Sequence, residues 1–207
     1  GQNSYLTSTT GLTDWQAQTP YTAQQMNAIT VNSNLFLAVG NGGAMYLIYS
    51  NEPTTWNSLN SPAGTSDHLC AQYLASRYIV GCAPTAAQET QLVVWPENGS
   101  LSQVLFPATS TGGVAHSIRE IAFKPGATAG TGLWVFGTNT AGTLWTAPED
   151  LSSITAITVA GLGVDQRVVF GGGRFVMAAD ATDGQIWTST DGSSWEQATL
   201  PITAPDL

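Results

Sequence analysis

Few side chains in this sequence can do acid–base, nucleophilic or metal chemistry, and those that can are clustered. Both histidines and two of the four arginines fall in Asp67-His68, His116-Ser117-Ile118-Arg119 and Asp165-Gln166-Arg167. Gln24-Gln25 holds the matching place nearer the start. Each segment stands just before an apolar run. If those runs lie side by side, Gln25, Asp67, His68, His116, Arg119, Asp165 and Arg167 converge. Imidazole, carboxylate, amide and guanidinium groups gathered at one mouth make a polar ligand pocket. The plainer reading is a set of solvated loop residues and plugging ion pairs, for example Asp165 with Arg167. Two histidines on different runs, with Asp67 and Asp165 nearby, lack the tight ligand spacing of a metal site, so no metal or other cofactor is expected. Nor is there a nucleophile with a base and an orienting partner at recognisable spacing, so no catalytic residue is expected.

Other residues carry two readings each. Asp180-Ala181-Thr182-Asp183-Gly184 could hold calcium or simply turn the chain. Cys70 and Cys82, the only cysteines, flank a hairpin centred near Ser76 and either face each other as a disulfide or lie as two buried thiols. Asn98-Gly99-Ser100 is a glycosylation sequon and equally a hairpin turn. Tyr21, Tyr46, Tyr49 and Trp95 either stack on sugar rings or fill the packing between sheets.

The elements that must position these residues repeat along the chain. The stretch Gly173–Pro201 reads as three strands: Arg174–Ala178, Ile186–Thr188 and Trp195–Leu200. Asp183-Gly184 and Asp191-Gly192 are the turns between them. Trp15, Trp56, Leu101, Ile154 and Trp195 mark the last strand of successive units, at spacings of 41, 45, 53 and 41 residues. A second series closes the apolar strand: FLAVG at Gly40, YIVG at Gly81, WVFG at Gly137 and FVMA at Ala178. That strand is apolar at successive positions, which predicts cover on both sheet faces. Four short strands per unit of about 45 residues are the pattern of a propeller blade. The expected fold is an all-β propeller in a single domain, residues 1–207. It has a half blade over 1–20 and full blades over 21–62, 63–107, 108–160 and 161–201, most simply five-bladed. In that layout the first strand of each blade lines a central channel, with the polar clusters at its mouth. The loop Lys124–Gly132, KPGATAGTG, is an insertion of the kind that often carries binding.

Composition narrows the function. Charged residues are 9% of the chain, against roughly 25% in an average globular protein. The 43% apolar content with seven Trp fills a core, so the polarity of Ser, Thr, Asn, Gln and Gly is not disorder. A net charge of −9 excludes nucleic acid as an expected partner, since phosphate binding needs Lys and Arg. No apolar run approaches the roughly 20 residues of a membrane span, so no membrane insertion is expected. The start, Gly-Gln-Asn, is expected to belong to a processed form or to a piece of a larger polypeptide or assembly.

Ser189-Thr190-Asp191-Gly192-Ser193-Ser194-Trp195 resembles the Asp-box, or BNR, repeat of sialidase-like β-propellers, with one residue fewer. Degenerate relatives stand at Ser50–Trp56 and Ser8–Trp15. The resemblance implies propeller hairpins in which Asp caps a turn, Gly takes positive φ and Trp packs between blades. It is therefore a folding device more than an active site. A sialidase-like glycoside hydrolase would need an arginine triad, and Arg77, Arg119, Arg167 and Arg174 are the only arginines. Arg77 and Arg174 repeat at equivalent points before aromatic residues, which assigns them a structural role, and the Arg-Ile-Pro motif of that family is absent. Similar repeats occur in bacterial extracellular and phage tail or spike proteins. The function expected is a non-catalytic recognition or adhesion module, on a virion or cell exterior, binding a host-surface glycan or protein through one loop face. The competing expectations are a sialidase-like hydrolase and a structural spacer.

Overall fold

The computed structural model describes residues 24–49, 56–84, 89–97, 99–107, 115–180 and 184–198, and the backbone of 5–7 and 16–18. The Ser8–Trp15 and Ser50–Thr55 stretches, Tyr21, Asn98, Asp183 and the end of the last expected strand lie outside them. Two compact units divide the chain, Gly1–Leu105 and Phe106–Leu207.

In the first unit, β1 (Tyr5–Thr7) pairs antiparallel with β2 (Gln16–Gln18). Sheet I follows, with β3 (Met26–Val31), β4 (Leu35–Gly40), β5 (Met45–Tyr49) and β6 (Trp56–Leu59) hydrogen-bonded in that order. Sheet II repeats the meander with β7 (His68–Leu74), β8 (Arg77–Cys82), β9 (Gln91–Pro96) and β10 (Ser102–Leu105). One face of sheet I, here its front, carries Ala28, Leu37, Val39, Met45 and Leu47. It packs on the back of sheet II, formed by Ala71, Tyr78, Val80 and Val93, in one apolar cluster. Tyr78 stacks on Trp95 at 5.3 Å and donates its hydroxyl to the Leu35 carbonyl at 2.7 Å. The Tyr73 amide donates to Thr30 Oγ1 at 2.9 Å, a second stitch between the two sheets.

The second unit is built the same way. Sheet III is β11 (Ile118–Lys124), β12 (Leu133–Thr138), β13 (Thr143–Pro148) and β14 (Thr155–Thr158). Sheet IV is β15 (Val164–Gly171), β16 (Arg174–Asp180), β17 (Gln185–Ser189) and β18 (Glu196–Gln197). The front of sheet III, with Ala122, Val135 and Leu144, meets the back of sheet IV, with Val168, Phe175, Met177 and Trp187. Phe106 closes the back of sheet III edge-on against Trp145 and Phe136. Hydrophobic burial of this kind contributes roughly 25 cal/mol per Å² of apolar surface, so the two clusters are the main stabilising term in each unit.

The strands expected at Arg174–Ala178 and Ile186–Thr188 fall within β16 and β17, and β18 occupies part of the third, Trp195–Leu200. One expectation is corrected. The second strand is covered on both faces in β8 and β12 but not in β16, where Phe175, Met177 and Ala179 are buried while Ala178 is exposed. The cause is that no described sheet covers the front of sheet IV. Of the two readings open for Cys70 and Cys82, the structure has the one with two buried thiols and no disulfide. A β-bulge between His68 and Cys70 sets Cys70 opposite Gly81 and Cys82 opposite His68, so the sulfurs do not face each other. Burial pushes the Cys82 thiol up to about 12, which keeps it protonated and inert.

The hairpin joining β17 to β18 is held by Asp191. Its Oδ1 accepts the Ser193 and Ser194 amides, both at 2.8 Å, and Oδ2 accepts the Ser194 hydroxyl. The Gly192 amide donates to Ser189 Oγ, and Trp195 Nε1 donates to the Gly192 carbonyl. Gly192 has φ +76° and presses on Leu133 and Val135 of sheet III, where a side chain would find neither room nor an easy backbone. Lys124 Nζ donates to the Thr190 carbonyl at 2.7 Å and ties the same hairpin to β11.

Candidate functional site

A β-bulge opens the first strand of each four-stranded sheet, at Met26/Ala28, His68/Cys70, Ile118/Glu120 and Val164/Arg167. The extra residue unpairs the ladder there and re-aims side chains, which is why the polar clusters sit at these points.

In the first unit the bulges of β3 and β7 meet the 3-10 turn Asn41–Gly43. Asp67 Oδ1 accepts the Gly42 amide at 2.7 Å. Asn27 Nδ2 donates to Asn41 Oδ1 and to the His68 carbonyl. His68 is fully buried. Its Nδ1 donates to the Ala44 carbonyl at 3.1 Å, leaving Nε2 to accept the Ser61 hydroxyl at 2.9 Å. Burial lowers the His68 pKa below the ordinary histidine value, against the raising pull of the Ala44 carbonyl and of Asp67. Gln25 is exposed and contributes its backbone carbonyl, which accepts the Asn41 amide. Beside this frame lies an open cleft of about 350 Å³, lined by Gln24, Ser58, Asn60, Ser61 and the backbone of Gly42–Ala44. Its floor offers amide and hydroxyl groups and no ionised side chain. It suits an uncharged, hydroxyl-rich ligand or the backbone of an extended peptide.

The second unit holds the remaining candidates. Arg119 Nε and Asp165 Oδ1 pair at 3.1 Å, and Arg167 Nη1 lies 3.9 Å from Glu120 Oε2 while donating to the Arg119 carbonyl. The ion pairs of the plainer reading are present with other partners than the Asp165 and Arg167 example. Asp165 sits in the bulge with left-handed φ of 48° and engages Arg119 on β11. His116 is buried, with Nδ1 2.6 Å from Thr140 Oγ1 and its ring near Trp145. Burial lowers its pKa as well. Arg119, Asp165 and Arg167 therefore form one run of ion pairs across β11 and β15, with His116 set apart in the interior.

Sequence reasoning passed over Glu120, Ser61 and Thr140, whose partners come from other strands and leave no local signal. Gln166 was legible only as part of its cluster. Fully buried, it accepts the Thr138 amide and donates to the Thr140 and Gly163 carbonyls, so it fastens sheet III to sheet IV. The Lys124–Gly132 loop is pinned by Glu149, whose Oε2 accepts the Gly130 and Gly132 amides at 3.0 and 2.9 Å. Of the named aromatics, Tyr46 is buried, Trp95 half-buried and Tyr49 exposed. Among the described residues no group of three or more His, Cys, Asp or Glu comes together to hold a metal.

No family model matches the chain, and no curated protein matches it. Solved structures do. Virginiamycin B lyase from Staphylococcus aureus, a catalytically inactive H270A form with quinupristin, superposes with TM-score 0.66 at 12% identity, over 91% of this chain and 60% of that one. YCF48 bound to D1 peptide gives 0.61 at 12%, over 91% and 58%. The Cps50 (Swd1) beta-propeller domain of Myceliophteria thermophila gives 0.54 at 12%, over 93% and 57%. At these identities the likeness establishes the fold: an all-β propeller of four four-stranded blades, sheets I to IV, plus a partial one. The chain spans somewhat under two thirds of the length of these three propellers.

Proposed function

We propose that this propeller is a non-catalytic recognition module that takes an uncharged glycan, or an extended stretch of a surface protein, at one loop face. The observation that carries the reading is the cleft beside Asn41–Gly43, with its Gln, Asn and Ser lining and its glycine backbone. The ties from Asp67 to Gly42 and from His68 to Ser61 and Ala44 hold that cleft preformed, which lowers the ordering cost of binding. The charge-poor surface supports display on a virion or cell exterior, within a larger polypeptide or assembly. Nucleic acid is not a partner in this reading, because −9 net charge opposes it. The Ser189–Trp195 hairpin fits an Asp box: its Ser, Asp, Gly and Trp take the capping and packing parts such a motif needs.

The test is a glycan-array and whole-cell binding assay on the purified chain, with reaction products followed in parallel. Saturable binding without product, weakened in Gln24→Ala and Asn60→Ala at unchanged melting temperature, is the expected result. Product from any glycan replaces this reading with a hydrolase or lyase. Absence of both binding and product replaces it with a spacer.

A further inference from the structure

The two units leave open opposite halves of one recurring contact. Inside each, a front face seats on the back face of the next sheet, I on II and III on IV. On the back of sheet I, Ile29 is 59% and Val31 46% exposed. Ala71, Ile121 and Val168, which hold the register place of Ile29 in the other sheets, are all buried. Ala38, Tyr46 and Ile48 on that same back face are buried, so the open strip runs along β3. On the front of sheet IV, Val169 is 62% exposed and Ala178 is exposed too. Ala122 at the Val169 place in sheet III is buried, as are Leu37, Ile79 and Val135 at the place of half-buried Val176. Thr30 and Gln72, at the Val169 place in sheets I and II, are half-buried, so each of these β-branched side chains is more exposed than its counterparts, and such uncovered apolar groups mark a contact surface.

We propose that these are the two halves of a contact between copies of this chain, the front of sheet IV in one copy seating on the β3 strip of sheet I in another. The occupant follows from the packing inside each unit. A front face of this repeat takes a back face of the same repeat, and among the described sheets the back face with an open strip, along β3, is that of sheet I. The contact is heterologous. It joins two copies at two junctions if the rotation closes and strings copies into a chain if it does not.

The experiment is light scattering on the full chain over about 1 to 100 μM, where contacts of this class associate. The variants are Val169→Glu, Ile29→Glu and the milder Val169→Ser and Ile29→Ser, with cooperative melting as the folding control. Wild type is expected to exceed the monomer mass, and each Glu variant to dissociate with at least about a tenfold weaker constant. Mixing Val169→Glu with Ile29→Glu restores one intact junction, so the mixture is expected to associate more tightly than either variant alone. A wild-type monomer at every concentration overturns the proposal. So does association indifferent to both positions, or a mixture no tighter than its components, which would signal a symmetric contact or another partner.

Discussion

At the scale of single residues, the charges and imidazoles of this protein serve chiefly as fasteners. Accepting two backbone amides and two hydroxyls, from Ser194 and Ser189, holds the Asp191 carboxyl well below the usual carboxylate range. Asp191→Ala is expected to cost about 1 kcal/mol, as for other exposed capping side chains. A depressed carboxyl contributes stability above the unfolded pKa near 4 and loses it as pH falls below. The acid limb of a denaturation profile below about pH 4 should therefore flatten in Asp191→Asn. The two histidines are lowered as well and act with the same sign, at higher pH. Buried and neutral when folded, they take up a proton near pH 6.5 only when the chain unfolds. Their contribution is complete above about pH 6.5 and shrinks as pH drops below it. His68→Gln should reduce the loss of melting temperature between about pH 7 and 5, and an unchanged slope in both His68→Gln and His116→Gln would refute the assignment. The sequence showed that these groups cluster before each first strand. It could not show that His68 would be capped by Ser61 and Ala44, because those partners are set by the turn closing sheet I.

At the scale of elements, the strands were legible because apolar runs of strand length alternate with Gly, Asp and Asn turns, and because the pattern recurs four times. The bulge opening each first strand was not legible, since the extra residue carries no distinctive type: Asn27, Leu69, Arg119 and the Asp165-Gln166 pair all occupy it. That irregularity explains why Cys70 does not face Cys82 and why Asp165 engages Arg119 instead of Arg167. It also gives Gln166 its reach. Gln166→Leu would strand the Thr138 amide and two carbonyls in a buried place. Urea denaturation is expected to register a loss of about 2–4 kcal/mol, the range for a broken buried network. A loss under about 0.5 kcal/mol would mean the sheets hold together without it.

At the scale of the whole molecule, each unit contains its own sheet pair and apolar cluster, so cooperativity should be divisible. Residues 106–207 expressed alone are expected to keep β-sheet circular dichroism and melt cooperatively, as repeat arrays do when neighbouring sheets stay together. A random-coil spectrum would show that the cluster around Val135, Phe175 and Met177 is insufficient by itself. Composition foretold an apolar interior under a neutral polar surface. It did not foretell which sheet faces stay open, because Ile29 and Val169 are apolar like their buried counterparts Ala71, Ile121, Val168 and Ala122, and residue type alone does not say what lies opposite. The bond from Lys124 to Thr190 has a practical corollary. The sequence contains one lysine, so an amine-reactive dye has a single side-chain target, standing where β11 clasps the hairpin before Trp195. Quenching of such a dye by that indole would time the release of the last hairpin from its neighbour, with no cysteine engineering and no second label.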